Sequence, residues 1–166
     1  MSDAIHADAA PKAVGSYPHA RRVGDLLFLS GIGPRTPDRS PSVAEAMDGL
    51  ERPPDRNPSV AEAIDGVERP PGSDVIPGNA YHADGRLRDY DIAAQCRQVF
   101  ANVRTVLEAS GARWEDLVDV TVYLTDMARD FKAYNAIWAE HFPDPARAPC
   151  RTTLGITALP TPIAIE

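Results

Sequence analysis

Apolar residues recur along this chain with two different periods, and the places where the period changes mark its elements. Ile92, Cys96, Val99, Phe100, Val103, Val106 and Leu107 stand three and four positions apart, which predicts a helix with one buried face. Asp89 or Asp91 can cap its start, and Gly111 can end it in the left-handed conformation. Val118, Val120, Val122 and Leu124 then alternate with Asp119, Thr121 and Tyr123, the pattern of a half-buried strand rich in β-branched residues. A second helix is expected over about 130–142, with Phe131, Tyr134, Ile137 or Trp138 and Phe142 on its apolar side and a proline beyond. Upstream, RRVGDLLFLSG places a Gly24-Asp25 turn between apolar segments and predicts a hairpin with strands near 20–23 and 26–30. Asp84-Gly85 reads as another turn, and the tail holds two strand candidates, near 151–156 and 163–166, separated by ALPTP. The order ββαβαβ predicts an α+β domain with both helices on one face of a sheet. Its other apolar face would need a partner, which points to oligomerisation.

Two stretches fall outside this pattern. Residues 1–11 are small, polar and alanine-rich and read as a disordered arm before a single domain over 12–166. Between 35 and 77 lies a proline-rich insertion containing a duplication, PSVAEAMDGLERPPDRN at 41–57 followed by PSVAEAIDGVERPPGSD at 58–74. Two copies at so short a period cannot stack a continuous core, so the pair reads as a duplicated loop rather than a repeat architecture.

Composition narrows the functional classes. A chain of 166 residues, 43% hydrophobic and 25% charged, fits one soluble domain. Its formal charge of -7 argues against nucleic acid or an anionic membrane as partner, and an anionic substrate would need local cations to overcome the field. No apolar run approaches the roughly 20 residues of a bilayer span, and the start lacks the layout of a secretory signal, so a cytoplasmic location is expected. Cys96 and Cys150 lack metal-type spacing and are expected as reduced thiols.

Familiar catalytic signatures are absent: there is no phosphate loop, HExxH, paired CxxC or serine-histidine-acid pattern. The tail, however, sets Arg151 at the start of one predicted strand and Glu166 at the end of the next. An arginine fork suits a carboxylate ligand, and a nearby acid can hold or deprotonate water. The same two residues would equally make a plain cross-strand ion pair, and spacing alone leaves both readings open.

The segments VGSYPHARRVGDLLFLSGIGP, DIAAQCRQVFANVRTVLEASGARWEDLVDVTVYLTDM, DFKAYNAIWAEHF and PCRTTLGITALPTPIAIE resemble, in order and spacing, the RidA/YjgF family. The resemblance implies a chorismate-mutase-like α+β fold, with helices on one face of a mixed sheet. It also implies a homotrimer, with pairing into hexamers left open, and active sites in clefts between subunits. It assigns Arg151 to the substrate carboxylate and Glu166 to the attacking water. Tyr17, Ser30, Gly31, Asn135 and Thr153 fall on the family's substrate-binding positions. Thr153 replaces the family's usual cysteine, so a thiol role is absent there, and members usually continue several residues past the matching glutamate. Pro18-His19, where general members carry a residue followed by glutamine, together with GIGPR and ALPTPIAIE, resembles the 2-aminomuconate deaminases within the family. For such a dicarboxylate, His19 is a further binding candidate, and Arg21, Arg22 and Arg35 are additional cations near the cleft segments. The implied activity is cofactor-free, metal-free hydrolysis of an enamine or imine acid to a keto acid and ammonia. The alternatives are a broad 2-iminobutanoate/2-iminopropanoate deaminase and a trimer that binds a ligand without turnover.

Overall fold

The computed structural model describes residues 2–36, 76, 78–83 and 86–166. The duplicated stretch at 41–74 and the Asp84-Gly85 turn lie outside the described residues.

The expected hairpin is present. Strands β2 (Ala20–Val23) and β3 (Leu26–Leu29) pair antiparallel around Gly24, whose φ of 59° is the left-handed conformation the turn needs. The amino-terminal residues differ from expectation. Ser2–Ile5 form strand β1, antiparallel to β2 with Ser2 opposite Val23 and Ile5 opposite Ala20. Composition argues for disorder in 1–11, but the free edge of β2 supplies backbone partners that composition does not report. A two-strand ladder, β4 (Ala80–Tyr81) with β5 (Leu87–Asp89), precedes the first helix.

Helix α1 (Ile92–Ala109) starts where Asp91 accepts from the Ala93 and Ala94 amides, and Gly111 at φ 70° follows its end. A single 3₁₀ turn (Trp114–Asp116) leads into β6 (Asp119–Leu124). Helix α2 (Met127–His141) begins three residues before the expected start, because the Asp126 carboxylate accepts from the Arg129 amide and caps it there. Strand β7 (Cys150–Gly155) runs parallel to β6, with Arg151 beside Val120 and Thr153 beside Val122.

The last predicted strand is reduced to one antiparallel bridge, Leu124 with Ile165. Around it the backbones of Tyr123 and Glu166 exchange two hydrogen bonds and Thr125 N–H donates to Ala164 O. β6 is therefore flanked by β7 on one edge and by the carboxy-terminal segment on the other, a mixed arrangement. The described strands otherwise group as β1-β2-β3 and β4-β5. Val122, Leu124 and Ile165 face α1 and α2 and join Phe100, Trp114, Tyr134, Ile137 and Trp138 in the main core. Both helices thus cover one face of β6. Other apolar side chains stay exposed, among them Val23, Leu26, Phe28, Val118 and Leu154. No described helix is long and apolar enough to cross a membrane.

Candidate functional site

The sequence candidates separate into two groups on opposite sides of β6. Tyr17, His19, Ser30, Gly31 and Glu166 line one cavity together with Arg35, Pro160 and Ile163. Its volume is ≈ 40 Å³, room for about two or three waters.

Helix α1 fixes two walls of this cavity through buried amides. Asn102 Nδ2 donates to Gly33 O (2.9 Å) and Arg35 O (2.7 Å), which sets the loop after β3. Gln95 Oε1 accepts from Ala164 N–H (2.9 Å), and its Nε2 donates to Asn79 Oδ1 (2.7 Å), which anchors the segment carrying Glu166. Both side chains are almost fully buried, so each bond is made where water cannot replace it. Sequence reasoning missed this pair; the signal was two amides on the otherwise apolar face of the helix.

Glu166 is partly buried, and burial raises its carboxyl above the ordinary 4.5 while the Arg35 guanidinium pulls it back down. The carboxylate lies against Gly31, with its Cδ 2.8 Å from where a Cβ would stand. Ser30 Oγ donates to Pro18 O (2.6 Å), tying the end of β3 to the turn before β2. His19 also has both ring nitrogens engaged with backbone: Nδ1 accepts from Ala7 N–H (3.0 Å) and Nε2 donates to Pro11 O (2.9 Å). Its ring forms part of the wall rather than offering the cavity an uncommitted nitrogen. Arg22 Nη2 donates to Ser110 O (2.6 Å) at the end of α1, so that cation serves the helix terminus.

Arg151, Asn135 and Thr153 form the second group. Register with Val120 turns Arg151 toward α2, where its Nη2 donates to Asn135 Oδ1 (3.0 Å). The guanidinium carbon sits 4.8 Å from the Trp138 ring centroid and 5.3 Å from that of Tyr134. No ion pair to Arg151 is present among the described residues. Among the described residues, three buried polar atoms, Arg151 Nη1, Thr153 Oγ1 and Tyr134 Oη, have no hydrogen-bond partner of ordinary geometry. Burial pushes the Tyr134 phenol up to about 12, opposed by the Arg151 guanidinium and the Thr153 hydroxyl beside it. Cys150 is exposed next to Arg151, and Cys96 is a buried thiol pushed up to about 12 by burial.

One protomer does not bring Arg151 and Glu166 together. Two strand spacings separate their backbones laterally and three residues separate them along β6, roughly 14 Å in all. They also point to opposite faces, since Glu166 pairs with Tyr123 while Arg151 sits beside Val120. Among the described residues no group of three or more His, Cys, Asp or Glu is placed to hold a metal.

Comparisons with known proteins give these two groups a family context. A RutC family protein of Pyrococcus horikoshii is 29% identical over 166 residues, spanning 100% of this chain and 94% of the relative. The chloroplastic Reactive Intermediate Deaminase A of Arabidopsis thaliana is 27% identical over 164 residues, spanning 99% of this chain and 62% of that longer protein. The crystal structure of the YjgF gene product from E. coli superposes with a TM-score of 0.64 at 23% identity, covering 98% of this chain and 92% of that one, so the fold is shared. The family model described as Endoribonuclease L-PSP matches residues 75–166, the half that carries α1, β6, α2, β7, Arg151 and Glu166. The chain therefore belongs to the Endoribonuclease L-PSP family, the RidA/YjgF group that its four sequence blocks resemble.

Proposed function

We propose that this protein hydrolyses enamine or imine acids to keto acids and ammonia. The observation that carries the reading is the Glu166 carboxylate at the wall of a cavity sized for water, partly buried and with a raised pKa. A carboxylate so placed can take a proton from water as the oxygen attacks carbon. The Arabidopsis relative, named a reactive intermediate deaminase, supports the same class. Arg151, partly buried and without an acidic partner among the described residues, supplies the grip on the substrate carboxylate.

In this reading Arg151 holds the C1 carboxylate and the enamine tautomerises to the imine. Glu166 deprotonates water as it adds to C2. That proton passes to nitrogen to give a carbinolamine; the carbinolamine hydroxyl then gives its own proton to the same nitrogen as the C–N bond breaks, and ammonia leaves with the keto acid behind. No cofactor or metal enters the balance. Because the two residues face opposite sides of β6, a substrate touching both must lie between two copies of the chain. The exposed apolar residues Val23, Leu26, Phe28, Val118 and Leu154 are available to bury in such an assembly, which we propose is a homotrimer. Tyr17, Ser30 and Gly31 would then meet the substrate from the Glu166 side, and Asn135 and Thr153 from the Arg151 side.

Within this class we propose 2-aminomuconate as the substrate. A dicarboxylate has a second anionic end, and Arg35 beside Glu166 provides a cation on the wall opposite the Arg151 contribution. Ammonia release with 2-aminomuconate and with 2-iminopropanoate, run in parallel, is the test. Turnover of 2-aminomuconate alone supports the narrow reading. Turnover of the small imino acid alone replaces it with the broad deaminase, and release from neither overturns the hydrolytic proposal.

A further inference from the structure

Residues 6–13 separate two spaces of very different size. On one side Ala10, Pro11 and Ala13 close the ≈ 40 Å³ cavity at Glu166. On the other, His6, Ala7, Asp8, Ala10, Lys12 and Ala13 form one bank of an open groove of ≈ 560 Å³, with Tyr17 and His19 common to both. The first space holds only waters, whereas the second is in the range of small-molecule sites. An amino-acid-sized molecule reaching Glu166 from the groove would have to displace this partition.

The His19 imidazole ties the partition at residues 7 and 11, and the Arg35 guanidinium donates to Lys12 O just beyond them. Ala10 N–H closes a turn on Ala7 O (3.0 Å), and the His19 ring bridges the two ends of that turn through Ala7 N–H and Pro11 O. Beneath it Ala7 and Ala10 pack with Ala20 and Val106 in a small cluster that Ile5, Leu27, Leu29 and Ile32 border. An Nδ1 that accepts and an Nε2 that donates require the neutral ring with its hydrogen on Nε2. Adding a proton places an N–H on Nδ1, donor against donor with Ala7, and that bond is lost.

We propose that residues 6–11 are a latched wall of the Glu166 cavity, held shut by the neutral His19 ring and released when the ring takes up a proton. His19 is thus a positioning residue. Titratable and charged groups surround it on both sides. Asp8 stands on the groove side and Glu166 on the cavity side. Lys12 and His6, whose ring meets His19 edge-on at 6.3 Å, also stand on the groove side, and Arg35 and Tyr17 on the cavity side. Release joins the two spaces. The link from release to turnover rests on the deaminase reading, but the latch itself does not.

Amide hydrogen exchange at Ala7 and Ala10 tests the latch without any substrate, in the wild-type protein, His19→Gln and His19→Phe. Glutamine keeps one acceptor and one donor and does not titrate. Wild-type protection at Ala7, corrected for intrinsic exchange, is expected to fall between about pH 8 and pH 5, while His19→Gln stays flat. His19→Phe is expected to exchange about tenfold faster at Ala7 at every pH. The His19 ¹⁵N shifts of the unaltered protein should report the Nε2–H tautomer at the upper pH, a readout independent of whether a variant folds. Equal Ala7 protection in all three proteins, a pH response unchanged in His19→Gln, or an Nδ1–H tautomer would each overturn the proposal. Ammonia release measured alongside separates the outcomes: an intact latch response with no turnover discredits the reaction and leaves the wall standing.

Discussion

Arg151 and Glu166 lie on opposite faces of one sheet, and that single fact makes a quantitative prediction about mixed assemblies. Arg151→Ala removes charge-assisted bonds worth about 1.5–3 kcal/mol each, a loss of roughly 10- to 100-fold in kcat/KM. Glu166→Gln removes the proposed general base and should cost about 100-fold or more in kcat. Each variant alone therefore retains on the order of 1–10% of activity at most. Co-expressed at equal levels with different tags, the two chains combine at random. A site is then complete when its Glu166 comes from an Arg151→Ala subunit and its Arg151 from a Glu166→Gln subunit. Every cyclic trimer that contains both chains has one such site among its three, so about one third of the sites in the doubly purified mixed assembly are restored. Ammonia release from the doubly purified mixed oligomer should approach that fraction of wild type. If both residues served one site within a single chain, every site would carry a lesion. Activity no higher than the average of the two parents would then dismiss the inter-subunit arrangement.

Three further outcomes follow from individual contacts. Gly31→Ala should leave folding intact, because Gly31 is not among the left-handed glycines, yet the new methyl must push the Glu166 carboxylate aside. A displacement near 1 Å typically costs about 100-fold in rate, so turnover should collapse while the thermal midpoint holds, and full activity would exclude Glu166 from the chemistry. Arg35→Gln removes the charge that opposes the burial shift of Glu166, so the carboxyl titrates higher still. Since the base works ionised, the acid limb of kcat/KM should already lie above the ordinary carboxylate range and should move further up in this variant. A limb that stays put or moves down would contradict the assignment. Tyr134→Phe deletes a buried hydroxyl that lies beside the Thr153 hydroxyl and the Arg151 guanidinium without a hydrogen bond of ordinary geometry among the described residues, so stability should change by no more than about 1 kcal/mol. A clear drop in thermal midpoint would show that the hydroxyl is bonded in solution.

Much of the fold was legible because its signals were local. Asp91, the apolar stripe from Ile92 to Leu107 and Gly111 define α1 without help from the rest of the chain. The Val120, Val122, Leu124 alternation did the same for β6. Where partners lie far apart in sequence, reading failed. Ser2–Ile5 carries no strand signal and becomes one because β2 offers an edge. The tail lost regular strand character because only Leu124 and Ile165 form a full bridge. Asp126 was a local cap signal passed over in favour of the apolar residues after it. At the site, the sequence supplied residue types but not sides: parallel pairing with β6 sends Arg151 to one face, and antiparallel pairing sends Glu166 to the other.

The division of labour within α1 explains how so small a domain keeps a water-sized cavity from collapsing. Its apolar positions Cys96, Val99, Phe100 and Leu107 drive packing against β6, a force without direction that would accept small slides of the helix. Gln95 and Asn102 remove that freedom, because a slide would leave buried amides unpaired at about 1–3 kcal/mol for each lost group. Gln95 thereby fixes the height of Ala164, and with it Glu166, while Asn102 fixes Gly33 and Arg35, and with them the loop that presents Gly31. The acid, the glycine that lets it approach and the cation that tunes it are all referenced to one rigid rod. Arg151 is referenced to the other helix, through Asn135, Tyr134 and Trp138. In the proposed reaction each helix would carry one half of the chemistry, and two neighbouring copies of the chain, rather than one, would be the unit in which the halves meet.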